Sequence, residues 1–361
     1  MTFPRWRYAF HSVILSAALL AFTITGCDTT DTPATSAEVT VMSYNLYLGA
    51  DIFDLVGSTP QEIPIIAGAL FAEVAATDYP LRAQAIASIT AEHSPALIGL
   101  QEVSLYRTRT PSQFSTTPDA EDVAYDFLQI TLDALAAEGL NYRVVANVEN
   151  ADVQLPATQD GGQTFFDVRL TDRDVILARN DVTVSNAVNA NFSPAVTAPI
   201  PVGGQEILFI RGYNHVLATV DGISFTFANS HLETQVAAPQ QPQEGQALEL
   251  LSALGGVQQP VVLVGDFNSP ADGSGTATYS LLTSQYTDAV AEVGPQEPTC
   301  CQAADLRNPQ SELTTRIDLI LHRGNVQTLS TATVGNEPGD RIEGLWPSDH
   351  AGVVARLRIH N

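Results

Sequence analysis

The sequence contains no lysine, so all 16 of its basic residues are arginines. The chain has 40 acidic residues, so its formal net charge is −24 at pH 7. A chain this acidic repels other polyanions, because binding to nucleic acid depends on cationic side chains that displace condensed counterions. The composition therefore disfavours nucleic acid as a partner. It also leaves clustered carboxylates available to bind divalent cations.

Cysteine is scarce, with three residues in the chain of 361. Cys300 and Cys301 are adjacent, which excludes the long-loop bridge that stabilises small secreted domains. The pair is either two buried or loop thiols or a vicinal disulfide. Because no other cysteine lies nearby, the pattern argues against a zinc site.

After residue 27 the sequence lacks any apolar run that is long and clean enough to span a bilayer. The one long run, 8–24, follows Arg5 and Arg7 and leads into ITGC, which resembles a bacterial lipobox. We expect residues 1–27 to be a lipoprotein signal peptide, with Cys27 as the lipidated residue. An uncleaved membrane anchor and an ordinary secretory signal are the alternatives.

The stretch that follows, residues 28–38, reads DTTDTPATSAE and is predicted to be a flexible tether. Together, signal and tether predict a protein that is exported and held at the cell envelope by lipid on Cys27, at the periplasmic or outer surface. The membrane is then a partner through that lipid alone.

Residues 39–361 are predicted to form a single domain, since no second linker interrupts them and 45% of the chain is hydrophobic. Short apolar runs alternate with helical stretches, which predicts an α/β or α+β fold. The predicted strands are 39–48, 95–103, 142–149, 164–170, 173–180, 260–268, 315–324 and 351–360. The predicted helices are 79–93, 121–139 and 245–256. A hairpin is predicted over 213–233 with its turn at Asp221-Gly222, and 51–78 and 291–314 are predicted to be insertions.

Polar side chains recur where the predicted strands end. They are Asn45, Glu102, Asn229, His231, Asp266, Asn268, Asp349 and His350. Ligands collect where strand ends and their loops meet, so these side chains predict a common site. Asp318 lies inside an apolar strand, where a carboxylate costs several kcal/mol unless it is paired. His350 and His231 are its best candidate partners.

Six short motifs carry a resemblance to a known family. YNLYLG, LIGLQEV, NSHLE, GDFN, RIDLIL and SDH occur in the order found in the endonuclease/exonuclease/phosphatase superfamily. The resemblance covers about residues 39–360. That superfamily includes pancreatic-type deoxyribonucleases, AP endonucleases, inositol-phosphate 5-phosphatases and bacterial neutral sphingomyelinases. It implies a four-layer sandwich of two mixed β-sheets with helices on both outer faces, and a site at one edge of the sandwich.

The resemblance also implies roles for the polar residues. Asn45, Glu102 and Asp349 are similar to the residues that bind Mg²⁺, for which Mn²⁺ or Ca²⁺ are alternatives. Asp318 and His350 resemble the buried Asp–His pair. Two further pairs resemble those that orient water and contact phosphate: Asp266 with Asn268, and Asn229 with His231. Whether Asp266 or His350 is the general base stays open at this point.

These similarities imply a metal-dependent phosphoric ester hydrolase, either a phosphodiesterase or a phosphomonoesterase. Such chemistry needs a positioned water, a group that takes its proton, and cations or donors facing the phosphate. The acidic composition favours a small-molecule or lipid phosphate ester, with nucleic acid as the alternative substrate. A catalytically silent protein that binds phosphate or metal is the alternative to an enzyme. Arg107, Arg109 and Arg211 are candidates for further phosphate contacts, Arg211 first among them.

One departure concerns the residues after the first asparagine. AP endonucleases carry an acid or amide shortly after it, whereas Leu46, Tyr47 and Leu48 follow here and the nearest acid is Asp51. This argues against a site of the AP-endonuclease type.

Overall fold

The structure is a computed structural model that describes residues 1, 2, 4, 35–115, 117–197, 199–234 and 242–361. The predicted lipidation site at Cys27, and nearly all of the predicted signal peptide and tether, lie outside these residues. Among the described residues, no helix is both long enough and apolar enough to cross a membrane. The elements given below all belong to one compact unit, Ala34–Asn361.

Strands are numbered β1 to β16 in chain order, and most of them form two mixed sheets. The A sheet contains β1 (Ser36–Asn45), β2 (Leu97–Gln101), β3 (Leu105–Arg109), β4 (Asp122–Asp126), β5 (Tyr142–Ala157), β6 (Phe166–Arg179), β15 (Val326–Val334) and β16 (Gly352–His360). The B sheet contains β7 (Thr183–Asn191), β10 (Gly212–Val220), β11 (Ile223–His231), β12 (Val261–Asp266), β13 (Thr287–Asp288) and β14 (Asp318–Arg323). A separate hairpin pairs β8 (Pro199–Val202) with β9 (Gln205–Leu208).

Each sheet has a parallel pair at its centre. The order in the A sheet is β15-β16-β1-β2-β6-β3-β4, with β5 also on β6, and β1 is parallel to β2. The order in the B sheet is β13-β14-β12-β11-β10-β7, and β11 is parallel to β12. The carboxyl ends of these two parallel pairs carry Asn45, Gln101, His231 and Asp266.

The described residues contain six α-helices: α1 (Ile63–Ala76), α2 (Tyr79–His93), α3 (Phe127–Ala137), α4 (Pro242–Gly255), α5 (Thr278–Thr283) and α6 (Ala289–Val293). The first five lie on the outer faces, whereas Ala289 and Val290 of α6 are part of the core between the sheets. The first three pack on the A sheet in a core that includes Met42, Ile98 and Phe127. On the B sheet, α4 and α5 pack in a core that includes Leu250 and Leu263. The predicted four-layer sandwich is therefore confirmed.

A third core lies between the two sheets and sets the direction of the polar strand ends. Successive strand residues face opposite sides. Val41, Phe227, Val262 and Ile320 all point into the layer between the sheets. Asn45, Asn229, Asp266 and Asp318 are an even number of residues away on the same strands, so they share that face. The inter-sheet layer is apolar through its centre and becomes polar at the edge where these strands end.

Several predicted boundaries need correction. The first strand begins at Ser36, so the last residues of the predicted tether pair with β16. The predicted helix 121–139 begins as strand β4, which pairs with β3, and becomes helical only at Phe127, where the Asp126 carboxylate accepts the backbone N–H of Leu128. Pairing with a neighbouring strand overrides local helix propensity there.

Two other predictions concerned neighbouring strands. Strands 164–170 and 173–180 are one continuous strand, β6, which pairs along its length with β5. The predicted hairpin is confirmed: β10 and β11 turn at Asp221 and Gly222, which have φ values of 49° and 80°. Both values lie in the left-handed region that a two-residue turn of this kind requires.

Candidate active site

Asn45 lies at the centre of the polar edge and connects two acids from different sheets. Its Nδ2 donates to Glu102 Oε1 at 3.1 Å and to Asp266 Oδ2 at 3.0 Å. Its Oδ1 accepts the backbone N–H of Tyr47 at 2.9 Å, which fixes the orientation of the amide because a backbone N–H only donates. Asn45 is thus a buried donor that holds two carboxylates in place, and the role at the metal that the resemblance implied stays a prediction.

Glu102 follows β2 with a φ of 56°, and this conformation points its carboxylate back into the site. Oε2 accepts the backbone N–H of Leu48 at 2.7 Å, and Oε1 accepts the Asn45 amide. Burial raises the pKa of Glu102 to about 8, and the charges of Asp349 and Asp172 add to the effect. The half-buried carboxylates of Glu102 and Asp349 therefore repel each other, which is the electrostatic situation that a bound cation relieves.

Asp266 and Asn268 continue β12 into a tight turn. Asp266 Oδ1 accepts the backbone N–H of Asn268 at 2.9 Å, while Oδ2 lies 3.4 Å from His231 Nε2 and 3.8 Å from His350 Nε2. The Asn268 side-chain amide lies 3.1 Å from His231 Nε2. Burial raises the pKa of Asp266 to about 6, and the nearby charge of Asp318 raises it further. A carboxyl group with such a pKa accepts and releases a proton near neutral pH.

Asp318 pairs with His350, one of the two histidines that the cost of burying a carboxylate left as candidates and the one that the resemblance implied. His350 Nδ1 lies 2.9 Å from Asp318 Oδ2. Because the carboxylate accepts, the Nδ1 proton is fixed toward Asp318 and Nε2 faces Asp266 and Asp349. Burial alone would lower the pKa of His350, but the carboxylates of Asp318, Asp349 and Asp266 outweigh it and raise that pKa well above 6.5.

His231 is the second imidazole of the site, and its partners give it the opposite charge state. Arg211 Nη1 lies 3.1 Å from His231 Nδ1. A guanidinium only donates, so Nδ1 accepts and the imidazole proton is on Nε2, toward Asp266. Burial, Arg211 and the charge of His350 hold the pKa of His231 well below 6.5. The site therefore contains one cationic and one neutral imidazole.

Arg211 lies behind His231 and does not face the open side of the site. It is 6% exposed, its Nη2 is 3.6 Å from Glu233 Oε1, and its Nη1 is 3.7 Å from Asp172 Oδ2. The predicted direct phosphate contact is thus wrong for Arg211, which instead orients the histidine. Arg107 and Arg109 are also engaged elsewhere, in ion pairs with acids on β5, β6 and the loop before β4.

Asn229 was predicted to contact phosphate, but its side chain is fully occupied between the sheets. Its Oδ1 accepts the Gln101 Nε2 amide at 2.6 Å, and its Nδ2 donates to the carbonyls of Leu100 and Val175. These three contacts are all with the A sheet. Asn229 therefore joins the two sheets directly beneath the site, and this role replaces the predicted one.

Arg82 is a residue that sequence reasoning missed. It is fully buried on α2 and donates to the carbonyls of Thr77, Leu46 and Pro347 at 2.9, 2.7 and 3.0 Å. Its guanidinium thus connects the loop after Asn45 to the loop that carries Asp349. The available signal was the single arginine of the predicted helix 79–93, in a chain without lysine.

Cys300 and Cys301 are joined as a vicinal disulfide, the second of the two alternatives for the pair. Cys300 bridges to the backbone of His350, and Cys301 Sγ lies 3.9 Å from His350 Nε2. The predicted long loop 291–314 therefore forms one wall of the site.

Comparison with known proteins agrees with this geometry. The profile of the Endonuclease/Exonuclease/phosphatase family matches residues 42–350. The chain belongs to that family. Family members are hydrolases that act on phosphate esters. No curated protein matches the sequence.

Solved structures of the family share the fold at low sequence identity. A family member from Bacteroides thetaiotaomicron is 17% identical with a TM-score of 0.57, covering 91% of this chain and 100% of its own. A mannosyl-6-phosphatase from the same species is 18% identical with a TM-score of 0.52, covering 88% and 99%. Truncated Caenorhabditis elegans TDP2 is 14% identical with a TM-score of 0.50, covering 90% and 98%.

The Arg211–His231 contact yields a direct prediction. In an Arg211→Gln variant we expect the pKa of His231 to rise, because a positive charge is removed while Asp266, Asp172 and Glu233 stay nearby. Imidazole NMR shifts should therefore show His231 neutral through pH 6.5 in the wild type and titrating at higher pH in the variant. Arg169→Gln is the matched control, since Arg169 pairs with Asp152 away from the site. Identical titration of His231 in wild type and Arg211→Gln would refute the assigned role.

Proposed function

We propose that this protein is a divalent-metal-dependent phosphoric ester hydrolase, with Mg²⁺ as the physiological ion and Mn²⁺ or Ca²⁺ as substitutes. The observation that carries the proposal is the convergence of four strand ends on one pocket. That pocket combines an Asp–His pair, a second histidine in the neutral state, and two mutually repelling carboxylates. A binding protein of the same fold would need none of the tuned proton positions.

The donor set fits a hard cation. Glu102 and Asp349 supply carboxylate oxygens, which Mg²⁺ prefers, and Glu102 uses only one acceptor position on each oxygen for the protein. When bound there, the ion would neutralise charge that develops on the phosphate and its leaving group. Asp266, Asp318 and His350 also offer ligand atoms within 4.8 Å of one another. We assign those three to proton handling because Asp318 and His350 already bond to each other.

The remaining residues define the acid–base roles. Asp266 is held by Asn45 and by the Asn268 backbone, and its pKa of about 6 suits a base that takes a proton from the attacking water. His350 is cationic and presents Nε2–H beside Asp266, so it donates to a non-bridging phosphate oxygen. His231 presents its own Nε2–H from the opposite side. We thus propose Asp266 as the base and His350 as a hydrogen-bond donor to the phosphate.

The substrate we propose is a small-molecule or lipid phosphate ester. The two arginines described close to the site, Arg82 and Arg211, are buried and bonded to carbonyls, acids or a histidine. They form no cationic track along which a nucleic acid backbone would lie. The formal charge of −24 acts in the same direction.

A substrate panel tests this proposal. Purified protein is incubated with duplex DNA, sphingomyelin, inositol phosphates and nucleotides, each with Mg²⁺ or with EDTA. We expect Mg²⁺-dependent hydrolysis of a small or lipid ester and little cleavage of DNA. Preferential cleavage of DNA at moderate salt would overturn the substrate class but leave the enzyme assignment standing.

Export and lipid anchoring belong to the same proposal and are supported by the sequence of residues 1–27 alone. Mass spectrometry of the mature amino terminus should find a diacylated Cys27. An intact leader, or a cleavage site elsewhere, would contradict the lipoprotein assignment.

A further inference from the structure

An apolar pocket of about 100 Å³ lies beside the active site and has no role in the chemistry described above. It is a half-open pocket between three parts of the chain: the 51–78 insertion, the outer surface of β3, β5 and β6, and the β8–β9 hairpin. The insertion contributes Ala67, the A sheet contributes Leu155, and the hairpin contributes Ile200 and Ile207. Its lining is almost entirely hydrocarbon, so water gains few hydrogen bonds inside it.

Two chains of contacts link the pocket to the catalytic groups. On one side the Phe209 ring lines the pocket and stacks 4.8 Å from the Arg211 guanidinium, which bonds His231. On the other side the Tyr106 hydroxyl donates to the Leu48 carbonyl, and the Leu48 N–H donates to Glu102. Arg211 on one side and Leu48 on the other thus each connect the lining of the pocket to a residue of the site, His231 and Glu102 respectively.

The hairpin that covers the pocket is held closely against the insertion. The Gly57 N–H donates to the Pro201 carbonyl at 2.9 Å, and the Gly203 N–H donates to the Ser58 carbonyl at 3.1 Å. Gly203 has a φ of 59°, in the left-handed region that favours glycine, and Ile63 Cδ1 packs directly against it. The β8–β9 hairpin is thus fixed in place by the rest of the fold, although it belongs to neither main sheet.

We infer that this pocket binds the hydrocarbon portion of the phosphate ester on which the enzyme acts. The inference rests on the proposed function and narrows its substrate class to amphiphilic esters, in which an alkyl group adjoins the phosphate. The phosphate group lies at the Asp266–His350–His231 site and the alkyl group enters the pocket next to it. Filling an apolar cavity with hydrocarbon removes apolar surface of both partners from water.

The size of the pocket sets a limit on the effect. An apolar cavity of about 150 Å³ accepts benzene, so about four carbons fit in the present pocket. Each buried methylene contributes about 0.8 kcal/mol, which corresponds to about a fourfold gain in affinity. The affinity for the ester should therefore increase with each of about four carbons and then level off.

The inference is tested with a series of alkyl 4-nitrophenyl phosphates, from methyl to octyl. Each ester is used at a concentration below its critical micelle concentration. We expect kcat/KM to rise by about fourfold per methylene up to about butyl and then level off. Equal kcat/KM for methyl and butyl esters would overturn the alkyl pocket while leaving the phosphoesterase assignment intact. Absence of hydrolysis for every ester with every ion would instead count against the proposed function.

A filled-pocket variant separates the pocket from the chemistry. Ala67→Ile narrows the pocket. We expect this variant to hydrolyse the methyl ester with the wild-type kcat/KM, and to hydrolyse the butyl ester with a kcat/KM that falls to the methyl-ester value. Ala72→Ile on the exposed face of the same helix is the matched control. Saturation-transfer NMR with butyl phosphate gives a readout without turnover: the alkyl protons should saturate in the wild type and not in Ala67→Ile. Equal saturation in both proteins would refute the inference.

Discussion

An Asp318→Asn variant is expected to lose about 10²–10⁴-fold in kcat, the range that general acid–base groups contribute. Asp318 accepts the Nδ1 proton of His350 at 2.9 Å and stabilises the cationic imidazole in a buried setting. An asparagine amide instead donates to Nδ1, which removes the positive charge and reverses the tautomer. Because the new side chain has the same shape, the packing of the inter-sheet layer should survive.

The control for this variant is Asp288→Asn. Asp288 is also a buried acid of the B sheet, but it pairs with Arg316 and Tyr279 outside the site. We expect Asp288→Asn to reduce thermal stability while keeping kcat near the wild-type value. A combined Asp318→Asn, His350→Gln variant should be little worse than either single variant, since the two residues act as a unit. Full additivity, or wild-type kcat in Asp318→Asn, would remove the pair from the mechanism.

A Glu102→Gln variant is expected to lose metal-dependent hydrolysis by about 10³-fold or more, since a bound ion contributes several kcal/mol of transition-state stabilisation. The same change should abolish stabilisation by the ion. At a free Mg²⁺ concentration of about 100 times Kd, the wild type gains about 2.7 kcal/mol of unfolding free energy and the variant gains almost none. Differential scanning calorimetry with and without Mg²⁺ measures this difference independently of turnover.

Glu92→Gln is the matched control, because Glu92 is an exposed acid near the end of α2. It should retain both hydrolysis and the Mg²⁺-dependent rise in Tm. An equal rise in Tm for wild type and Glu102→Gln would place the ion elsewhere, with the Asp266–Asp318–His350 group as the next candidate.

Much of the fold was predictable because its determinants are local. The hairpin of β10 and β11 turns at Asp221 and Gly222, and these two residues alone determine the type of turn. Helix α2 was predicted with its observed bounds, Tyr79–His93. The cost of an unpaired buried charge predicted a histidine partner for Asp318 and left His350 and His231 as candidates, and this argument needs no knowledge of the surrounding topology. The resemblance then implied His350.

The sequence alone could not predict contacts between residues that are far apart in the chain. Residues 121–126 have helical character, but they pair with β3 at the edge of the A sheet and form β4. Asn229 is polar and close to His231, yet its donors and acceptors are used by the A sheet. Arg211 is distant in sequence from its acid partners, Asp172 on β6 and Glu233 after β11. Its burial behind His231 follows from how β10 and β11 pair. These contacts form only when the sheets pack.

The most direct test of the central claim is release of 4-nitrophenol from 4-nitrophenyl phosphate and its methyl ester by metal-stripped protein. We predict negligible release in EDTA, restoration by Mg²⁺ or Mn²⁺, and loss of the restored activity in Asp318→Asn. Equal release in EDTA and Mg²⁺, or restored activity that Asp318→Asn leaves unchanged, would contradict the account.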